Sequence, residues 1–303
     1  MHEAFRIAKN GHLWLVYNSL LWLVSGDEIG HLESHTHEWS PESGCELNLQ
    51  PGTVQPEGFE ILYEEGPCLV VVKPGGLPTQ APRGIDSLEV RIKQFLKVRD
   101  QKPGKVYLGV PHRLDRPVSG VMVFAKHVRA ARRIAEQFEG RLVQKHYWAV
   151  VQGEVCPDEG TWTDFIHKIP GRAESRIVDD SHPDGRTAAL HYRVLARRPE
   201  RTLLEIQLET GRTHQIRVQT ASRSHPVLGD QQYGSTEAFG PRLEDPRRRW
   251  IALHARRLQF RHPMTRETIV QTAPLPEAWQ AFNDWVGVDG LRIETLIQRG
   301  TYG

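Results

Sequence analysis

Ten residues, PHRLDRPVSG at 111–120, set a carboxylate, Asp115, between two guanidiniums, Arg113 and Arg116, behind His112 and ahead of Ser119-Gly120. An aspartate is ionised at neutral pH, and flanking arginines favour the charged form. Such a carboxylate can act as a nucleophile, as a general base, or as the counter-charge of a cationic transition state. An Asp between arginines is ordinarily a surface ion pair and nothing more. Asp115 stands above that reading because VPH before it and VSGVMVFA after it place it where a loop leaves a sheet. Reactive groups are commonly carried there, on loops held by a rigid scaffold.

What the sequence lacks narrows the chemistry. Sugar hydrolysis ordinarily employs two carboxylates, one of which protonates the leaving group, and no second acid follows Asp115 closely in the chain. No GxGxxG stands after a strand, and neither GxxxxGK[ST] nor HExxH occurs. The expectation is a reaction without cofactor or metal, dominated by one carboxylate. His31, His35 and His37 share a polar stretch, where a solvated loop is the expected role because no further Cys or His cluster supplies ligands.

A second group of charges lies in LETGRTHQIRVQTASRSHPVLGDQQYG, residues 208–234. Arg212, His214 and Arg217 gather at the start of an expected short helix opened by Arg212 or Thr213, where backbone N–H groups favour anions; a solvated basic helix face is the plainer alternative. Further arginines in VRAARR, PRRRW and HARR form a phosphate-binding surface if they share one side. Tyr147, Trp148, Tyr233 and Trp250 stand near these clusters and suit stacking on bases, although core packing is the commoner role of such residues.

These groups need elements to hold them. The β-branched run Cys68–Val72 reads as a buried strand ending at Pro74-Gly75-Gly76. DSLEVRIKQFLKVRD reads as a helix capped by Asp86 or Ser87, with Leu88, Ile92, Phe95 and Leu96 inward. KVYLGV and GVMVFAK read as strands on either side of the Asp115 loop. HVRAARRIAEQFEGR reads as a helix with Ala131, Ile134, Ala135 and Phe138 inside, and KHYWAVVQG as a returning strand. In TLLEIQLE, Leu204, Ile206 and Leu208 alternate with Glu205, Gln207 and Glu209, the pattern of a half-buried antiparallel strand. Strands outnumber helices without regular alternation, which favours an α+β fold over a doubly wound sheet.

The chain has 303 residues, and 39 Lys and Arg against 37 Asp and Glu leave a formal charge of +2, which excludes a uniformly basic nucleic-acid binder. Cys45, Cys68 and Cys156 lie far apart with no CxxC, against a disulfide scaffold or a cysteine zinc site, and in keeping with a reducing, cytoplasmic setting. The apolar stretch LWLVYNSLLWLV, 13–24, is broken by Asn18 and Ser19 and too short to span a bilayer. It reads as a strand or hairpin packed on the domain, in preference to a signal peptide, since no A-x-A-like site follows. Residues 25 to about 55 read as a loop or linker.

HRLDRPVSGVMVFAK, KHYWAVVQG, ETGRTHQIRVQTA, HPVLGDQQYG and LHARRLQFRHP, in that order, resemble the RluA-type pseudouridine synthases, which isomerise uridine in structured RNA. The resemblance covers about residues 58–278, and five ordered blocks make it highly specific. It implies a mixed, mainly antiparallel central sheet with flanking helices, an active-site cleft across its middle, and a substrate in ribosomal or transfer RNA. It places the catalytic aspartate on Asp115, the active-site tyrosine on Tyr147, and the basic residue that pairs with the aspartate on Arg212. Arg113, Arg116, His214 and Arg217 are expected to contact RNA, Arg113 by filling the space vacated by a flipped base or by gripping phosphate. Pro117-Val118 replaces the Asp-Thr of many members, which bears on loop geometry.

The expected division is an N-terminal extension and linker at 1–55 without a convincing S4-like module, a catalytic domain at 56–280, and a tail at 281–303. A monomer with no membrane attachment is expected. Two rivals stand beside the enzyme reading: a catalytically silent RNA-binding protein, and a nucleoside or sugar hydrolase that would require a second catalytic carboxylate or a metal-binding group of aspartates.

Overall fold

The computed structural model describes residues 55–285, residue 287 and three strands within residues 5–24. The chain divides into two compact units, residues 1–50 and 51–303. In the first, Phe5–Lys9 (β1), His12–Tyr17 (β2) and Leu20–Val24 (β3) pair as an antiparallel sheet in that order, so the apolar run at 13–24 lies on two paired strands. The expected linker from residue 25 to 54, with its three histidines, lies outside the described residues.

The second unit is built on one twisted sheet. Its strands are Glu60–Glu65 (β4), Cys68–Lys73 (β5), Ser119–Ala125 (β6), Gln144–Gln152 (β7), Glu159–Lys168 (β8), Ser175–Val178 (β9), Arg186–Arg198 (β10), Arg201–Leu208 (β11), Leu253–Arg261 (β12) and Thr268–Thr272 (β13). They run β4-β5-β6-β12-β7-β11-β10-β8-β9, with β13 on the far end of β12. Every pairing among them is antiparallel except β6 with β12, where His254 and Ala255 lie beside Ser119 and Gly120. The helices are Leu88–Arg99 (α1), Val128–Glu139 (α2) and Gln215–Ala221 (α3). The fold is α+β, a mixed and mainly antiparallel sheet with flanking helices.

Local sequence explains much of this. The Ser87 hydroxyl caps α1 by accepting the Val90 N–H, and Leu88, Ile92, Phe95 and Leu96, spaced on one helical stripe, are the residues it buries. Helix α2 packs most of its expected face, with Ile134 buried and Ala131 and Phe138 partly buried against the core, and it also buries Ala130 and Gln137. Gln137 is buried for a backbone requirement: it accepts from the Arg261 N–H at 2.8 Å and donates to the Arg261 carbonyl at 2.9 Å, on a residue that β13 pairs only from the other side. Strand β11 runs centrally between β7 and β10 and is covered on both faces, so Leu203 to Ile206 are all buried and Glu205 is paired with Arg193 at 2.9 Å.

KVYLGV, expected as a strand, meets the sheet only through Gly109, which bridges Ala125. Strand β12 pairs with β6 only at Ser119 and Gly120, and farther along β6 the segment makes a single bridge, Gly109 with Ala125, while the Val123 N–H goes to the His112 side chain in place of a backbone carbonyl. Beyond residue 280 the packing continues: Phe282 and Trp285 are buried, their rings 5.2 Å apart, and Gly287 bridges Ala196. Trp148 is a core residue at 2% exposure, and Trp250 packs over Gly75, where an added Cβ would lie 2.6 Å from the indole. Trp148 is therefore structural and not open to a base, while Trp250, half-buried, packs on the Gly75-Gly76 turn. No helix among the described residues is long and apolar enough to cross a membrane.

Candidate active site

The Asp115 loop is fixed from four directions. His112 at its start accepts the Val123 N–H through Nε2 at 3.0 Å and stacks on Phe138 at 4.4 Å between ring centroids. The Thr79 hydroxyl donates to the Leu114 carbonyl at 2.9 Å and accepts the Leu114 N–H at 3.2 Å, clamping the residue before Asp115. The Val118 N–H closes a turn on the Asp115 carbonyl at 3.1 Å, and the Ile251 N–H reaches the Pro117 carbonyl at 3.4 Å. Pro117-Val118 thus supports the turn without a polar pair: proline supplies only its carbonyl, and Val118 is buried.

Beneath the loop lies Lys73, fully buried, whose Nζ donates to the carbonyls of Pro74, Leu77 and Arg116 at 2.8, 2.6 and 3.1 Å. Burial pushes its pKa down to about 7, while the charge of Asp115 opposes that shift. Three carbonyl acceptors match the three hydrogens of an ammonium, so in its protonated form the amine ties three backbone segments together.

The partner of Asp115 is Arg217, not Arg212. Arg217 Nη1 lies 3.3 Å from Asp115 Oδ2, and the guanidinium is 4% exposed. Arg212 is partly exposed and donates its Nε to the Thr187 carbonyl at 2.9 Å. The assignment made from the GRTHQIR block therefore moves five residues along it, from its first arginine to its last. The physical cause is the start of α3, whose N-cap is His214 in the left-handed region at φ 56°. That kink leaves Arg212 on the approach to the helix and turns Arg217, in its first turn, between the Asp115 loop and the 230–233 turn. Arg217, expected to contact RNA, is in this structure a buried ion-pair partner.

His214 joins the same group. Its Nε2 lies 3.7 Å from Asp115 Oδ2 and its Nδ1 2.8 Å from the Tyr233 hydroxyl. Burial lowers its pKa, opposed by the nearby charge of Asp115, which favours a neutral imidazole. Tyr233 also receives the Ser175 N–H at 2.9 Å and carries Arg217 on its ring face at 4.9 Å. Tyr147, on β7 opposite Ile206 and Ala255, lines the hollow that Asp115 enters, and burial followed by the charge of Asp115 raises its pKa so that the phenol keeps its proton.

Two hollows meet at the loop. One, of about 610 Å³, is lined by Asp115, Tyr147, Lys145, Arg212, His214 and Arg217 among others. The second lies on the other side of the loop and is lined by Arg113, Arg116, Arg247 and Arg249 together with Gln231 and Gln232. Arg113 and Asp115 border both. Arg247 and Arg249 of PRRRW thus share a face with the Asp115 loop, while Arg256 of HARR is buried over Trp148 and belongs to the core.

Asp230, absent from the sequence reading, is 2% exposed and accepts Arg217 Nε and Nη2 at 2.6 and 2.9 Å. The signal for it was within HPVLGDQQYG, but only the fold brings that block against α3. Among the described residues, His167, His182 and Asp184 also gather, with potential ligand atoms within 4.8 Å of one another. His167 and Asp184 border a further hollow that does not include Asp115, and His182 Nδ1 already accepts the Asp184 N–H at 3.1 Å.

The family model described as RNA pseudouridylate synthase matches residues 67–222, a span that contains Asp115, Tyr147, His214 and Arg217. The chain is 37% identical over 294 residues to ribosomal large subunit pseudouridine synthase D of Xanthomonas campestris pv. campestris, covering 92% of this chain and 86% of that protein. It is 33% identical over 243 residues to ribosomal large subunit pseudouridine synthase C of Haemophilus ducreyi, covering 78% and 72%. Among solved structures, human RNA pseudouridylate synthase domain containing 1 superposes with a TM-score of 0.60 at 25% identity, over 84% of this chain and 98% of that one. Motif order, sheet topology and matched span agree, and the chain belongs to the RNA pseudouridylate synthases, in their RluA-type family, as an isomerase of uridine in RNA.

Proposed function

We propose that this enzyme converts uridine to pseudouridine in large-subunit ribosomal RNA, with Asp115 as its catalytic carboxylate, Arg217 as the group that orients it, and Tyr147 as the cover of the target base. The observation that carries the reading is the ion pair of Asp115 with a buried arginine at the edge of a 610 Å³ hollow that also holds a protonated tyrosine. The ribosomal substrate follows the names of the relatives with which the chain shares most of its length.

The isomerisation breaks the bond from C1′ of the sugar to N1 of uracil and remakes it from C1′ to C5, with loss of the C5 proton. Uracil leaves as a stabilised anion, so a single carboxylate suffices, whether it attacks C1′ or removes a sugar proton. The second nearby carboxylate, Asp230, is buried and bonded to Arg217 through both oxygens, and is not free to protonate a leaving group. This weighs against the hydrolase reading. The detached base must rotate without meeting water, which a walled hollow provides.

A base inside a stacked helix cannot reach Asp115, so the target nucleotide is flipped into the hollow. Arg113, exposed on the ridge between the two hollows, is placed to occupy the gap left behind. Arg116, Arg247 and Arg249 border the second hollow and suit the flanking phosphates.

The test uses transcribed large-subunit ribosomal RNA carrying tritium at uracil C5, with release of tritium to water as the readout. The wild-type chain is expected to release it, and Asp115→Asn to release none while binding RNA within a few fold of wild type. Retained activity in Asp115→Asn, or collapse of its RNA affinity, would overturn the assignment. Binding without release by the wild type would favour the silent RNA-binding reading.

A further inference from the structure

Arg217 faces Asp115 but is held by something else. Its Nε and Nη2 donate to the two oxygens of Asp230 at 2.6 and 2.9 Å, the fork-to-fork geometry of the strongest arginine–carboxylate pairs. Nη2 also donates to Gln232 Oε1 at 2.9 Å, and the ring of Tyr233 covers one face of the guanidinium at 4.9 Å. Only Nη1 turns to Asp115, at the longer distance of 3.3 Å.

Asp230 is itself rigidly seated. Its N–H donates to the Val227 carbonyl at 2.9 Å, and its carbonyl accepts the N–H groups of Tyr233 and Ser235, both at 3.0 Å. The preceding Gly229, at φ 88°, lets the chain turn where an added Cβ would lie 2.7 Å from the Trp250 carbonyl.

Two carboxylates therefore share one guanidinium, and the buried one holds its stronger side. Had Arg217 clasped Asp115 in the same bidentate way, both oxygens of Asp115 would be neutralised and blocked. As built, Asp115, Asp230 and Arg217 sum to one negative charge, and that charge is exposed to the hollow on Asp115, which is 18% exposed, while Asp230 is 2% exposed. The other groups that face Asp115 are neutral His214 at 3.7 Å, the protonated phenol of Tyr147 and the more distant ammonium of Lys73.

We propose that Asp230 is a positioning residue of the isomerisation: it captures the two strong donors of Arg217, so that Arg217 aims Asp115 at the sugar without quenching its charge. This rests on Asp115 being the catalytic carboxylate. Asp230 never touches substrate, and acts through Arg217 alone.

The test compares Asp230→Asn and Asp230→Glu with wild type and with Asp115→Asn. The readouts are single-turnover tritium release as a function of pH, RNA affinity and thermal midpoint. For Asp230→Asn the expected result is RNA affinity within about threefold of wild type and a rate reduced roughly a hundredfold, the size of effect of a displaced electrostatic group. The acid limb of its pH profile moves to lower pH, because Arg217, no longer shared, closes on Asp115 and favours its ionised form. Asp230→Glu keeps the charge, so its acid limb stays at the wild-type position and its rate within about tenfold.

An Asp230→Asn variant with wild-type rate and profile overturns the proposal. So does a pair of folded variants slowed alike with unmoved limbs, because that pattern marks a structural role only. If Asp230→Asn does not fold, Asp230→Glu carries the test by the same two criteria; failure of both to fold assigns Asp230 to stability and also overturns it. An active Asp115→Asn would instead sink the catalytic assignment itself, a failure separable from that of Asp230.

Discussion

Replacing Arg217 by lysine keeps a positive charge and removes the planar fork, and the structure sets what that should cost. The guanidinium makes four charge-assisted contacts through three nitrogens: two to Asp230, one to Gln232 and one to Asp115. A lysine has one nitrogen at the end of its chain and cannot span Asp230 and Asp115 together. At least one oxygen of Asp230, in a residue 2% exposed, then loses its partner out of reach of water. A buried acceptor left unpaired costs about 1–3 kcal/mol, and breaking a buried ion pair outright about 3–5 kcal/mol, so Arg217→Lys is expected to destabilise by roughly 2–4 kcal/mol. That corresponds to a fall in melting temperature of roughly 5–15 °C for a unit of this size. Turnover should fall further, by about a hundredfold or more at a temperature where the variant is folded, since Asp115 loses its orienting contact.

The control is Arg212→Lys, the arginine that the motif alone had pointed to. Its side chain donates to the Thr187 carbonyl, at a partly exposed position, and its backbone bonds to Gln215 survive the change, so the expected loss is under about 1 kcal/mol. Melting curves and tritium release on the two variants decide the matter. Equal damage from both, or Arg217→Lys within tenfold of wild-type turnover, would refute the reasoning.

Other perturbations test the scaffold beneath the site. Thr79→Val preserves shape and removes both hydrogen bonds to Leu114; about 2–3 kcal/mol of stability and a lower single-turnover rate are expected, read by urea unfolding and tritium release. Gly120→Ala should be worse than its size suggests, because φ is 125° and the new Cβ would lie 2.3 Å from the Ala255 carbonyl in the parallel β6–β12 pairing. A loss of roughly 3 kcal/mol or more, or failure to fold, is expected in a melting experiment. Acid should destabilise the unit: burial holds His254 down at about 3, so between there and the ordinary value of 6.5 the unfolded chain binds a proton that the folded chain refuses. The stabilisation is complete above 6.5 and drains away as pH falls through that window, about 2 kcal/mol at pH 5 from His254 alone, and urea midpoints at pH 7 and 5 measure it.

The sequence by itself determined the fold class and most of the elements. Strand β5, helix α1 with its Ser87 cap, and strands β6 and β7 were legible because each is set by local periodicity and capping chemistry. Asp115 was legible too, since its flanking charges and loop setting are properties of ten consecutive residues. What the chain could not reveal locally were choices made across long separations. KVYLGV has the composition of a strand, yet it meets β6 only at the Gly109–Ala125 bridge, and the Val123 N–H beside it goes to the His112 side chain, a pairing that belongs to the sheet and not to the segment.

Helix α2 buries Gln137, outside its expected apolar stripe, because that side chain satisfies a backbone 124 residues away. The choice between Arg212 and Arg217 was of the same kind: the block offers two arginines, and only the left-handed His214 and the approach of the Val227–Ser235 turn decide which is buried against Asp115. Asp230 is invisible as a partner until 13 residues of chain fold back on α3. Short-range propensities act along the chain and can be read from it, whereas desolvation and pairing of charges depend on which distant groups arrive together, and that is decided only by the tertiary packing.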